Sequence, residues 1–158
     1  MPSFPPNPRT IARTSWQAGP AATHAPGPAL VSVTEFTAHR HTDAVPIALS
    51  GLRLRRRWPE TSGAVGMWLW IDPWHKRSGS VSVWTDERSL YAFVRRPDHV
   101  RIVRAHQNRG AMRATSWPVD RPDDPAAIWA SAQALLTAPA STAWPEAAVH
   151  PKEGPKTS

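Results

Sequence analysis

The sequence predicts an α+β domain of ferredoxin-like order: strand, helix, strand, strand, helix, strand, with one further helix appended at the C-terminal side. Three observations predict it. Segments rich in β-branched residues and partly alternating recur at residues 29–40, 64–72, 80–87 and 111–119. Between them lie two stretches whose apolar residues recur at helical spacing. The second strand segment, "AVGMWLWID", is apolar on both sides, whereas an antiparallel strand with one wet face alternates apolar and polar residues.

The 158 residues suit one domain. Its 18 prolines gather at the ends. "MPSFPPNPRT" and "QAGPAATHAPGP" carry no hydrophobic periodicity, so residues 1–28 are expected as a disordered lead-in and residues 139–158, "PASTAWPEAAVHPKEGPKTS", as a disordered tail. The domain proper is then 29–120, and 121–138 hold the appended helix.

Residues 29–40 form the first strand. The stretch from residue 42 follows as a helix that ends before Pro59, with Thr42 and Asp43 as candidate N-caps, strained near Pro46 and Gly51. On the strand 64–72, Val65, Met67, Leu69 and Ile71 share one side and Gly66, Trp68, Trp70 and Asp72 the other. "PWHKRSG" makes a turn, and "SVSVWTDE" returns as the hairpin partner, with Val81 and Val83 opposite Ser80, Ser82 and Trp84. The next helix is capped by Thr85 or Asp86, carries the stripe Leu90, Phe93 and Val94, is interrupted at Pro97 and stops at Gly110. In its second piece His99, Ile102, Val103 and His106 fall at i, i+3, i+4 and i+7, on one face. Residues 111–119 close the sheet, and Asp124 caps the last helix. If the two crossover helices cover one face of the sheet, the other apolar face still needs a cover. A second copy of the chain is the simplest one, so a homodimer through the sheet face is expected.

The formal net charge is +7, but its arginines sit mainly in "LRLRRRW" and "RRPDHVRIVRAHQNR", spaced as on solvated helix faces. No nucleic-acid motif accompanies them, and a nucleic-acid partner is not expected. Without cysteine there is no disulfide, thiolate metal site or cysteine nucleophile. No apolar run approaches the roughly 20 residues of a membrane span, and no signal-peptide pattern opens the chain. A cytoplasmic protein without a membrane partner is expected.

"GSVSVWTDERSLYAFVRRPDHVRIVRAH" followed by "RATSWPV" resembles the core of the dimeric α+β barrel superfamily typified by antibiotic-biosynthesis monooxygenases. It is similar in particular to a bacterial subgroup of unknown function: a strand ending Ser-Val-Trp, a helix with a Phe-Val step, a Pro-x-His break, a closing strand ending in Trp. The detailed match covers residues 79–119. The resemblance implies a homodimer with facing sheets and, in each subunit, a pocket between sheet and helices. Members include cofactor-free oxygenases of polycyclic aromatic substrates, haem-degrading enzymes, small decarboxylases and isomerases, and proteins with no known reaction. The implied function is a cofactor-independent oxygenase, or a related enzyme, acting on small aromatic, polyketide-like molecules. The alternative is a non-catalytic dimeric module binding an apolar ligand or haem.

Weighed singly, each candidate has two readings. Trp84, Phe93, Trp68 and Trp70 either wall a substrate pocket or fill the core, and Trp68 and Trp70 also suit a dimer interface. His99 and His106, about 10 Å apart along a helix, are too distant to chelate one ion, so each would act alone as a base or axial haem ligand, or sit inert on a basic helix. His39 and His41 lie in a loop position that often reaches a pocket, but "AHRHTD" lacks the spacing of a metal site, and none is expected. Arg95, Arg104 and Asn108 are candidate polar contacts. The haem-degrading pattern departs here: Thr34 and Glu35 stand where an Asn is associated with the first strand, and Phe93 where the helix would bear a Trp. Glu35 and Asp72 are the carboxylates placed near strands, and a glycosidase-type acid pair is not expected. Neither a dinucleotide or phosphate-loop motif nor a nucleophile elbow is present.

Overall fold

The computed structural model describes residues 11–23 and 27–147. The elements in order are β1 (Ala12–Arg13), β2 (Gln17–Ala18), β3 (Ala29–Ala38), α1 (His41–Arg56), β4 (Ala64–Asp72), β5 (Arg77–Trp84), α2 (Glu87–Val94), α3 (Pro97–His106), β6 (Gly110–Val119) and α4 (Pro125–Leu136). The order β3-α1-β4-β5-α2/α3-β6 is the ferredoxin-like α+β fold, with α4 appended. Its sheet runs β6–β3–β5–β4, and β1 and β2 both add to the outer edge of β4. Every pairing is antiparallel.

Caps and breaks follow the chemistry of their residues, with one exception. Asp86 Oδ1 accepts from the Ser89 N–H at 2.7 Å and Asp124 Oδ1 from the Ala127 N–H at 3.1 Å. Pro97 opens α3 where it cannot continue α2. Thr42 and Asp43, expected to cap α1, instead lie inside it. The helix starts at His41, and the cap position, Arg40, makes no side-chain cap bond.

Residues 11–23 correct the expected lead-in, because β1 and β2 pair with β4 and Trp16 packs on Trp68 at 4.4 Å. Gly66 permits this seat, since a Cβ there would occupy the Trp16 ring. The expected tail is likewise engaged up to residue 147. Thr115 Oγ1 donates to the Pro145 carbonyl at 2.8 Å, and the Arg113 guanidinium stacks 4.0 Å over Trp144. Residues 1–10, 24–26 and 148–158, also assigned to those segments, lie outside the described residues.

The pleat divides the sheet into two faces. One carries Val31, Val33, Val81, Val83, Trp68 and Trp70, together with Val65, which a register shift between Ala64 and Gly66 brings into this cluster rather than with Met67. Ile128, Trp129, Ala132 and Leu136 of α4 bury it. At one end Arg77 is enclosed. It donates to Asp72 Oδ2 at 2.8 and 3.1 Å, to Glu35 Oε2 at 2.7 Å and to the Leu136 carbonyl at 3.1 Å, while Arg113 donates to Glu35 at 2.9 and 3.3 Å. Charges this buried are tolerable only when paired, and the bond from Arg77 to the Leu136 carbonyl ties the end of α4 to the sheet. The bare apolar face that motivated a homodimer is therefore covered within the chain. A dimer through that face would have to displace α4.

Candidate functional site

The other face lies under α1, α2 and α3, and its centre is lined with hydroxyls. Ser32, Ser82 and Ser116 are buried there, and the Thr34 and Ser80 hydroxyls are 2.8 Å apart. Above them stands an aromatic trio. Trp58, on the single turn that Pro59 helps to form after α1, meets Trp84 at 5.0 Å and Phe93 at 5.9 Å, both edge to face, and Trp84 meets Phe93 at 5.2 Å. Edge-to-face contact is the arrangement the ring quadrupoles favour. Trp84 Nε1–H donates to Ser82 Oγ at 2.9 Å. Trp58 Nε1–H and Ser116 Oγ are buried without a partner among the described residues.

Phe93 extends the trio to the rim of the helices, where it is half-buried between His99 and Arg96. The His99 ring lies 5.1 Å away and the Arg96 guanidinium 5.1 Å over its face. Arg96 also donates to Asp98 at 2.7 and 2.9 Å and holds that carboxyl well below the usual carboxylate range. His99 Nδ1–H donates to the Val94 carbonyl at 3.1 Å, which leaves the Nε2 lone pair unclaimed. Burial, aided by the charge of Arg96, pushes His99 below its ordinary pKa, so it is neutral near pH 7. A neutral imidazole with an open acceptor beside an aromatic edge can take a proton from a bound phenol.

His106 has a different setting. It is 8 % exposed and its Nε2 lies 3.1 Å from Ser50 Oγ, the only buried residue of α1. Ser50 directs its one hydrogen to the Pro46 carbonyl at 2.9 Å, so its oxygen accepts from Nε2–H. Nδ1 then holds a buried lone pair with no partner among the described residues. Burial first, and Arg109 second, lower its pKa.

The expected site residues therefore separate. Trp84, Phe93 and His99 come together, and His106 lies on the same side of the sheet with a different neighbour. Trp68 and Trp70 are on the far face, under α4, so they share no pocket with Trp84. His39, His41, Arg95, Arg104 and Asn108 are exposed. Val94, expected on the inward stripe, also faces outward. Sequence reasoning passed over Trp58 and Ser50: a tryptophan before a proline and a serine within an arginine-leucine helix carry no periodic signal. Among the described residues no three metal-capable side chains cluster. Two open depressions, of about 500 Å³ along the outer side of α2 and about 280 Å³ between β6 and α4, are lined by none of the trio.

No protein-family model matches the chain, and no curated protein does. Solved structures are similar over a little more than half of it. A conserved protein from Methanosarcina mazei Go1 is 12 % identical with a TM-score of 0.51, over 56 % of this chain and 90 % of its own. A variant of SnoaB, a cofactor-independent oxygenase from Streptomyces nogalater, is 16 % identical with a TM-score of 0.48, over 56 % and 90 %. LmHde, a heme-degrading enzyme from Listeria monocytogenes, is 19 % identical with a TM-score of 0.41, over 53 % and 59 %. At such identities the likeness concerns the fold.

Proposed function

We propose that the helix side of the sheet binds a small, flat aromatic molecule, and that the protein acts on it as a cofactor-independent oxygenase or a related enzyme of aromatic metabolism. The observation that carries this reading is the set of unpaired polar atoms on that side. Most buried polar groups in proteins are hydrogen-bonded, yet Trp58 Nε1–H, Ser116 Oγ and His106 Nδ1 have no partner among the described residues, and His99 keeps an open Nε2 beside Phe93. Donors and acceptors around aromatic rings match a phenol, which has a π-face and a polar handle.

In the oxygenase reaction His99 Nε2 takes the phenolic proton. The electron-rich ring carbon of the phenolate forms a bond to dioxygen, and O–O cleavage leaves one oxygen as a quinone carbonyl and releases the other as water. Phenol and dioxygen balance quinone and water with no further reductant.

A non-catalytic module for an apolar ligand or haem is the second reading, and it draws on the closure of Trp84, fully buried between Trp58 and Phe93. Titration with polycyclic phenols and with haem, followed by tryptophan fluorescence and oxygen uptake, separates the two. Saturable quenching with oxygen consumption that His99→Gln abolishes supports the enzyme. Binding without oxygen consumption in the wild type supports the module, and no response to either ligand overturns both.

A further inference from the structure

α1 buries little of itself. Val45, Leu49 and Leu52 are 61, 49 and 43 % exposed, and at helical spacing they lie on one outward arc with Arg53 and Arg56, also exposed. The contacts Ser50–His106 and Arg57–Asp98 set α1 and α3 side by side and antiparallel, which places Arg101 and Arg104, on the exposed side of α3, beside the stretch that holds Leu52. These four arginines make no ion pair among the described residues, whereas the neighbouring Arg57 and Arg96 are both paired to Asp98. At the end where α1 begins, the turn after β4 holds Trp74, 73 % exposed, and is tied there by Ala38 N–H to the Lys76 carbonyl at 2.9 Å and Lys76 Nζ to the His39 carbonyl at 3.3 Å.

We propose that this face docks on an anionic lipid surface, with Leu49 and Leu52 entering between the headgroups and Arg53, Arg56, Arg101 and Arg104 binding their phosphates. Charge complementarity selects the occupant. A second copy would set arginine against arginine. Nucleic acid would bury leucines against phosphates, and base stacking on the lone Trp74, at the far end of the face, would leave Leu49 and Leu52 without an apolar partner. The apolar residues form the crest of a helix, not a groove, so a rigid protein partner would need a matching cleft, while a headgroup layer yields around a ridge. Apolar residues with basic neighbours are the composition of peripheral membrane faces, and an exposed tryptophan suits the interface. The expectation of no membrane partner rested on the lack of a spanning segment, and a peripheral contact needs none. No helix of the described residues is long and apolar enough to cross a membrane.

Flotation of the full chain with vesicles of phosphatidylcholine alone, and of phosphatidylcholine and phosphatidylglycerol in equal parts, tests this. Binding to the anionic vesicles alone, weakened by salt, is expected. Arg53→Gln with Arg56→Gln should weaken it roughly 25-fold, about fivefold for each surface charge removed. Leu49→Asp should weaken it as well, and because all three positions are exposed, unchanged melting temperatures will show that folding is intact. Equal binding to neutral vesicles or none to anionic ones overturns the proposal. So does loss on removing Arg53 and Arg56 but not on Leu49→Asp, together with equal affinity for single-stranded DNA, since that describes a general polyanion surface.

Discussion

Under α4 the sheet carries valines, tryptophans and a cluster of two arginines and two carboxylates whose oxygens and guanidinium groups bond to one another; under α1, α2 and α3 it carries hydroxyls, an aromatic trio and two neutral histidines, with several polar atoms left unpaired. Both faces are buried, but only the first is nearly closed as a hydrogen-bonding system, Trp70 Nε1 being its unpaired exception. A protein tolerates unpaired buried groups at a cost of about 1–3 kcal/mol each, so their concentration on one side marks the side where something other than stability has been selected. The α4 face explains why the domain holds together. The helix face is where a ligand would gain.

Arg77→Met attacks the first face and should give the largest effect, a loss of about 3–5 kcal/mol read by urea denaturation. Glu35 keeps Arg113, but Asp72 is left with only His75, 2.8 Å away, and the Leu136 carbonyl loses its donor. A loss below about 1 kcal/mol would show that the cluster is wet in solution. Because α4 covers this face, light scattering of the wild type should give the mass of a monomer, and a stable dimer would require an interface elsewhere or a displaced α4.

Ser50→Ala is the matching cut on the second face. It removes the acceptor of His106 Nε2–H and leaves a buried imidazole with both nitrogens unpaired, so a loss of about 1–2 kcal/mol is expected. Ser116→Ala should go the other way. Its hydroxyl has no partner among the described residues, so deletion should leave stability unchanged or raise it by up to about 1 kcal/mol while weakening binding of any phenol. A drop in melting temperature would place a partner on that hydroxyl and weaken the contrast between the faces.

Much of this division was legible in the residues. Alternating valines at 31, 33, 81 and 83, the two-sided strand 64–72 and the break at Pro97 are period and φ restriction, which act locally. What covers a face is not local. α4 reads as apolar around most of its circumference, which says it is buried but not against what, and a second copy of the chain fitted the same apolar sheet. β1 and β2 are two residues each, "AR" and "QA", with no period to read; they exist because the open edge of β4 pairs with them and Trp16 finds the space above Gly66. In the site, Phe93 and His99 could be placed from helical spacing, whereas Trp58 joins them only because the chain turns at Pro59.

The smallest expected effect is a pH dependence that again belongs to the helix face. His99 and His106 both have their pKa lowered in the fold, chiefly by burial, from an ordinary value near 6.5. As the pH falls below that value the unfolded chain takes up protons that the folded chain does not, so the equilibrium moves toward unfolding. Stability should therefore be complete above about pH 7 and decline gradually on acidification through the range just below 6.5. The lowered carboxyls Asp86 and Asp98 contribute only further down, below about 3.8, where protonation removes their bonds to Ser89 N–H and Arg96. Urea midpoints measured across both windows should show two separate declines. His106→Gln should flatten the upper one in part and His99→Gln the remainder, leaving the lower unchanged. If the upper decline persists undiminished in the double variant, another group carries it, and the two histidines titrate in the fold as they do in the unfolded chain.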